Sequence, residues 1–185
     1  RSIHLEEGQP RCAVIEPDTR HAKILIKELG LERATGLETP AQHFSGDEQL
    51  ENSRSKLVKE SEKKLYRSCT MRASYLAQDD PGIGEAVKNL ARHMNQPNEA
   101  NLAALKRLGR YLIKYPLTAN VMEEQNMPES IRVFVDTDHA GCAVTRRSTT
   151  GLAATLGKHT CKHQSNLQST IALSSGESEW YGIVK

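Results

Sequence analysis

Residues 131–142 read IRVFVDTDHAGC, and the chain continues through RRSTTGLAATLG (146–157) and HTCKHQSNLQ (159–168) to SSGESEWYGIVK (174–185). The first three stretches are apolar-rich runs bounded by glycine and polar residues, a pattern that predicts three strands. In the fourth, Ser174 stands three residues before Glu177, which is the pattern of a capping box at the start of a helix. The order strand, strand, strand, helix indicates an α/β fold.

Acidic residues gather where the first predicted strand ends and where the helix begins. Apolar residues alternate along 131–135, so Asp136 and Asp138 share the other face of this strand. If the helix packs against that strand end, a carboxylate from each element can meet around a divalent cation, and Mg²⁺ is held by oxygen ligands. On the residues alone, such acids are more often turn formers, and periodicity does not choose between Glu177 and Glu179.

The motifs VFVDTDHAG (133–141), RRSTTG (146–151) and TIALSSGESEWYG (170–182) resemble the ribonuclease H domain of copia-type retrotransposon polyproteins. The resemblance implies a ribonuclease H-like mixed sheet flanked by helices, of which this chain holds the N-terminal half only. It also implies a hydrolase that cuts the RNA strand of RNA–DNA hybrids with two metal ions, Mg²⁺ or Mn²⁺. The first catalytic aspartate of the family matches Asp136 and its helix glutamate matches Glu179, both as metal ligands, with Glu177 as the rival.

The chain departs from the family pattern at several positions. His139 stands where an aromatic residue is usual, and Gln164 replaces a tryptophan. The two later aspartates of the family's four-carboxylate site have no counterpart in the chain. We therefore expect nuclease activity in the full-length parent and an inactive chain on its own. The alternative is a non-catalytic nucleic-acid-binding fragment or a decayed retroelement relic.

The earlier part of the chain resembles other regions of the same polyprotein. Residues 17–40, PDTRHAKILIKELGLERATGLETP, resemble the end of its reverse transcriptase portion. Residues 66–97 and 105–116 resemble the region that joins polymerase to nuclease. We therefore predict four parts, which are the end of a reverse transcriptase-like region (1–33), a linker (34–57), a helical connection region (58–118) and a truncated ribonuclease H-like domain (129–185).

Apolar periodicity predicts a helix over about 19–29 and three more over about 60–76, 81–95 and 99–114. Gly109, in the middle of the last of these, costs about 1 kcal/mol relative to alanine. Residues 34–57 lack periodicity and are predicted to form a loop.

The final helix has a separate apolar face. Trp180, Ile183 and Val184 fall at the spacing of one helical side. The family resemblance implies that later helices and strands would cover this side, so we expect it to be exposed as an apolar patch in this chain.

Two basic tracts are candidates for nucleic-acid binding. Lys106, Arg110 and Lys114 recur every four residues on the 99–114 helix with Arg107 beside them, a ridge that suits duplex phosphates or is an ordinary solvated face. The second tract consists of Arg146, Arg147, Lys158 and Lys162, and no acidic residue lies between Asp138 and Glu177. A positive surface beside carboxylates attracts a polyanion.

Composition and charge limit the classes of protein to which the chain can belong. The 185 residues carry a formal charge of +2 and suit one or two small domains, so any basic signal is local. No apolar run is long enough to span a membrane, and four cysteines without a Cys-x-x-Cys pair are typical of an intracellular protein of cytoplasm or nucleus.

His159, Cys161 and His163 alternate along a strand but lack a fourth zinc ligand. The predicted partners are an RNA–DNA hybrid or other nucleic acid and the remainder of the polyprotein, with no membrane.

Overall fold

The structure is a computed structural model that describes residues 2–5 and 12–184. Within these residues it contains six strands, six α-helices and a 3₁₀ turn at Pro81–Ile83. In chain order the strands are β1 (Ser2–Leu5), β2 (Cys12–Glu16), β3 (Asn120–Glu123), β4 (Ile131–Asp138), β5 (Thr149–Leu156) and β6 (His159–Leu167). The helices are α1 (Thr19–Glu28), α2 (Gly46–Ser53), α3 (Glu60–Leu76), α4 (Gly84–Ala91), α5 (Glu99–Lys114) and α6 (Ser175–Val184).

The hydrophobic core lies between four helices, α1, α3, α4 and α5. Tyr66 of α3 is fully buried there, and its hydroxyl donates to the Leu90 carbonyl oxygen of α4 at 2.8 Å. Burial of the apolar side chains supplies the main driving force for this unit. The buried members are Ala22, Leu25, Leu29, Leu31, Tyr66, Cys69, Ala73, Leu76, Ile83, Val87, Leu90, Leu105, Leu108 and Leu112. Together with the sheets described below, this unit confirms the predicted α/β class.

Local capping explains where these helices begin and end. The Asp18 carboxylate accepts the Arg20 backbone N–H at 3.0 Å, and Gly30 ends α1 at φ 65°. The predictions for α1, α3 and α5 are confirmed. The predicted 81–95 helix is shorter, because after Ala91 the N–H groups of His93 and Met94 bond three residues back and tighten the chain into a turn.

Gly109 has a packing role that sequence propensity alone does not show. A Cβ at this position would lie 2.6 Å from Leu31 Cδ1 and 3.2 Å from Leu29 Cδ1. Glycine therefore lets the end of α1 and the turn after it approach α5 closely.

The predicted linker 34–57 is more ordered than expected. It contains α2, which begins with a complete capping box between Ser45 and Glu48. The Gln49 side chain donates to the Gly141 carbonyl oxygen at 3.4 Å and accepts from the Ala143 N–H at 3.0 Å. The segment therefore contacts the turn after β4. The Ser-x-x-Glu pattern was readable in the sequence, but α2 has no buried residue and therefore no apolar periodicity that would predict it.

Two three-stranded sheets complete the fold. The first has the order β1-β2-β3 and the second has the order β4-β5-β6, and all their pairings are antiparallel. The mixed sheet implied by the family resemblance is thus not seen within residues 2–5 and 12–184. None of the helices in this part of the chain is long and apolar enough to cross a membrane.

Candidate functional site

Helix α6 packs directly on the end of β4. A Cβ on Gly182 would lie 2.7 Å from Thr137 Cγ2 and 3.0 Å from Val135 Cγ1, so the backbone of the helix lies directly against these side chains of the strand. The Ser178 and Thr137 hydroxyl oxygens are 3.2 Å apart. Gln168 donates to the Ser178 carbonyl oxygen at 2.9 Å and ties the chain before α6 to the same contact. The packing of helix on strand end, on which a shared carboxylate site depends, is therefore present.

The apolar side of α6 is exposed, as expected. Trp180, Ile183 and Val184 are 63%, 67% and 65% exposed, whereas Ser178 and Gly182 are buried. Small residues allow the closer approach to β4, so the apolar stripe is left on the outside.

Asp136 and Asp138 point away from α6. Val135 and Thr137 face the helix, and alternate side chains of a strand point to opposite faces of its sheet. Asp136 is exposed on that other face, paired across the ladder with Gly151.

Asp138 is held by local contacts. Its carboxylate accepts the Thr149 backbone N–H. Lys88 of α4 lies close by, with its Nζ 3.4 Å from Thr149 Oγ1. Burial lowers the pKa of Lys88, and the charges of Glu85 and Asp138 oppose that shift. These contacts give Asp138 a structural role, whereas Lys88 gave no signal in the sequence because its helix is remote in the chain.

The two glutamates of α6 have different surroundings. The Glu177 carboxylate accepts the Leu173 N–H at 2.6 Å and the Tyr181 hydroxyl at 2.7 Å. These bonds, with the Leu173 N–H as the larger cause, lower the pKa of Glu177. Glu179 is half-buried, and its carboxylate has no hydrogen-bond or ion-pair partner in the part of the chain that the structure describes. Glu177 is therefore occupied in capping α6, and the Glu179 carboxylate is available.

The described residues do not form a two-metal site by themselves. Nowhere in residues 2–5 and 12–184 do three His, Cys, Asp or Glu side chains stand together so that they could hold a metal ion. Asp136 and Glu179 lie next in sequence to the touching pair Thr137 and Ser178, but Asp136 points to the face of the sheet away from α6. Two carboxylates in this arrangement do not fit two bound cations.

The His159, Cys161 and His163 set is also separated. A register shift in the β5–β6 ladder pairs Thr160 with Thr155 and Lys162 with Ala154, which leaves Cys161 as the extra residue. The two histidines then point to opposite faces, and their Nε2 atoms donate to the carbonyl oxygens of Glu123 at 2.7 Å and Ala77 at 3.1 Å.

The basic ridge of α5 carries intramolecular partners. Arg107 donates to Thr39 Oγ1 at 2.8 Å, and Arg110 donates to the Thr35 carbonyl oxygen at 2.8 Å. Lys114 forms an ion pair with Glu38, while Lys106 is exposed. Three of the four predicted nucleic-acid-binding residues on α5 thus contact residues 35–39.

The second basic tract is divided between two ends of the β4–β6 sheet. Arg146 and Arg147 are exposed in the turn between β4 and β5. Lys158 lies in the turn at the opposite end, 3.4 Å from a Glu123 carboxylate oxygen, and Lys162 is on β6. Arg146 and Arg147 are therefore the members of this tract nearest the acidic end of β4.

Arg92, which follows the last residue of α4, reaches the same turn. Arg92 Nη2 lies 3.2 Å from Cys142 Sγ, and the Arg146 N–H donates to the Cys142 carbonyl oxygen at 2.7 Å. Partial burial raises the pKa of the Cys142 thiol, but hydrogen bonds from Arg92 and Thr145 lower it to about 7. Sequence reasoning missed this pairing because the two residues are fifty positions apart.

Comparison with known proteins identifies relatives among retrotransposon polyproteins. The chain is 33% identical over 118 residues to an uncharacterized mitochondrial protein of Arabidopsis thaliana, covering 64% of this chain and 49% of that protein. It is 34% and 31% identical over 118 residues to the retrovirus-related Pol polyproteins from transposons RE1 and RE2 of Arabidopsis thaliana, again over 64% of this chain. The resemblance to copia-type retrotransposon polyproteins is confirmed.

The match covers only part of each relative. The chain spans about half the length of the mitochondrial relative and 8% of each polyprotein. No family model matches the chain. No solved structure matches it either.

Proposed function

We propose that this chain, a relative of retrovirus-related Pol polyproteins, is the segment in which a helical connection region meets the start of a ribonuclease H-type nuclease. The Thr137–Ser178 contact carries the proposal. Asp136 and Glu179 are the sequence neighbours of these two residues, whose hydroxyl oxygens lie 3.2 Å apart. This contact joins the strand end and the helix that carry the two carboxylates, while Asp136 points to the other face of the sheet.

The substrate of the parent protein, in this proposal, is the RNA strand of an RNA–DNA hybrid. Mg²⁺ or Mn²⁺ is the expected cofactor, because these ions bind carboxylate oxygens and stabilise the charge that develops in phosphodiester hydrolysis. Asp136 and Glu179 are two of the required carboxylates, and the remainder of the polyprotein supplies the others. The exposed Arg146 and Arg147 attract the polyanion to the acidic strand end.

The test is a chimera of this chain with the next hundred or so residues of the transposon RE1 polyprotein, enough to complete an ordinary domain. We expect it to cleave the RNA strand of a labelled hybrid in the presence of Mg²⁺. Asp136→Asn and Glu179→Gln should each abolish cleavage, whereas the capping variant Glu177→Gln should retain it. Full activity in Asp136→Asn would contradict the proposal.

The second candidate is a non-catalytic nucleic-acid-binding segment. The observation that favours it is the lack of three clustered metal-ligating side chains in residues 2–5 and 12–184. This function predicts that the chimera binds hybrid without cutting it in Mg²⁺ or Mn²⁺. Substitution of the basic residues would then weaken binding, and substitution of Asp136 would not.

A further inference from the structure

Residues 35–39 lie across the basic side of α5, and we call this segment the strap. Its backbone is bound to the helix at two places, because Arg110 donates to the Thr35 carbonyl oxygen at 2.8 Å and the Leu37 N–H donates to the Arg110 carbonyl oxygen at 3.1 Å. A Cβ on Gly36 would lie 2.9 Å from Lys114 Cβ, so the strap passes the last turn of α5 in direct contact.

The strap also brings an acid onto the basic side of the helix. The Glu38 carboxylate pairs with the Lys114 ammonium and accepts the Tyr115 hydroxyl at 2.7 Å. The Lys114 bond and, less strongly, the Tyr115 bond lower the pKa of Glu38, so this residue is charged at neutral pH. Arg107 donates to Thr39 Oγ1 at 2.8 Å and completes the contact.

These contacts have the chemistry of phosphate recognition. Here a lysine and a hydroxyl surround an anionic oxygen group, and arginine N–H groups bind neighbouring oxygens. Basic proteins bind the phosphates of a nucleic-acid backbone with the same donors. The Glu38 and Lys114 side chains are 69% and 43% exposed, and such surface pairs are weak and screened by salt. A polyanion that presents many phosphates can therefore displace a single carboxylate.

We propose that the strap is an internal competitor for the nucleic-acid-binding side of α5, with Glu38 in the position of a backbone phosphate. This inference rests on the proposed binding of an RNA–DNA hybrid and adds a regulation to it. Lys106, which is exposed, makes the first contact with the duplex. Release of the strap then frees Arg107, Arg110 and Lys114 for further phosphates.

The experiment measures binding of the 185-residue chain to a fluorescent RNA–DNA hybrid by anisotropy over a series of salt concentrations. Glu38→Gln removes the charge that competes and keeps the size of the side chain. The matched control is Glu51→Gln, which makes the same charge change on exposed α2. At low salt we expect Glu38→Gln to bind about two- to fivefold more tightly than Glu51→Gln, because the exposed Lys114–Glu38 ion pair no longer has to be broken and such pairs change an equilibrium by about this factor.

Hydrogen exchange of the Leu37 amide gives a second readout, since this N–H is bonded to α5. Addition of hybrid should speed its exchange in the wild-type chain. One outcome overturns only this inference: the chain binds hybrid, Lys106→Ala weakens that binding, but Glu38→Gln and Glu51→Gln have equal affinities and hybrid does not change the exchange rate of the Leu37 amide. The strap would then not be a competitor. If no variant binds hybrid, the proposed function and the inference both fail.

Discussion

The hydroxyl oxygens of Thr137 and Ser178 lie 3.2 Å apart in the buried contact between β4 and α6. Ser178 Oγ donates its proton to the Ser175 carbonyl oxygen at 2.7 Å, so Thr137 is the donor in the pair. A buried hydroxyl that loses its partner costs free energy, because it has also lost its hydrogen bonds to water. The pair therefore fixes the position of α6 along β4.

We predict that Ser178→Ala lowers the free energy of unfolding by about 1–3 kcal/mol, because Thr137 is left as a buried donor without an acceptor. The measurement is the midpoint of urea unfolding. Ser169→Ala is the control, since Ser169 is exposed and its replacement should change stability by about 0.5 kcal/mol at most. Equal midpoints for the two variants would show that the hydroxyl pair does not hold the helix.

Gly109→Ala should destabilise the chain although alanine is the better helix former. The new methyl group would lie 2.6 Å from Leu31 Cδ1, and overpacking of a core costs about 1–3 kcal/mol. Gly84→Ala is the matched control, because nothing lies within 4 Å of its added Cβ and the change should stabilise α4 by about 0.4–1 kcal/mol. Thermal unfolding of both variants shows whether each substitution raises or lowers stability. A stabilised Gly109→Ala would contradict the packing explanation.

The sequence predicted local structure well where one signal dominates. Asp18 caps the start of α1 and Gly30 follows its end, as their residue types indicate, and apolar periodicity located α3 and α5. It failed where tertiary contacts decide, as in residues 34–57, where α2 reaches the turn after β4 through Gln49. Exposure of the apolar stripe containing Trp180 was expected, and the close approach of Gly182 to β4 is the packing that leaves it outside.

The Cys142 thiol should react at neutral pH. Its pKa is about 7, because hydrogen bonds from Arg92 and Thr145 outweigh the effect of partial burial, so alkylation by iodoacetamide should rise with pH through that value. Arg92→Gln should move the midpoint toward the ordinary thiol pKa of about 8.5. Cys69 is the internal comparison, since burial and then the adjacent Glu28 raise its pKa to about 12 and keep it unreactive. An unchanged midpoint in Arg92→Gln would contradict this assignment.

Glu177 should make the stability of α6 depend on pH. Its folded-state pKa is lowered by the Leu173 N–H and then the Tyr181 hydroxyl, so the ionised carboxylate stabilises the folded chain above the unfolded pKa of about 4.3. That contribution is lost as the pH falls through the lowered folded value. Urea midpoints of Glu177→Gln should therefore vary less with pH in this window than those of the wild type. Parallel curves would indicate that the cap contributes nothing.

The candidate site was predictable only in part. The acids at the end of β4 and the start of α6 were visible as a pattern, and the structure brings their neighbours Thr137 and Ser178 together. The strap was not predictable, because it depends on Glu38 and Lys114, 76 positions apart, and on a loop without periodicity. The alternation along 131–135 placed both acids on one face of β4, but packing of α6 on the opposite face depends on tertiary contacts that no local signal in the sequence determines.

The last prediction is that the 185-residue chain by itself does not cleave RNA–DNA hybrids. Hydrolysis with two metal ions needs enough carboxylates to hold two cations about 4 Å apart, and residues 2–5 and 12–184 contain no group of three metal-ligating side chains. Asp136 and Glu179 leave at least one cation poorly held, so its affinity should be weak. The measurement is cleavage of a labelled hybrid with Mg²⁺ or Mn²⁺, with the chimera described above as the positive control. Robust metal-dependent cleavage by the short chain, lost in Asp136→Asn, would mean that two carboxylates suffice and that further ligands from the polyprotein are not required.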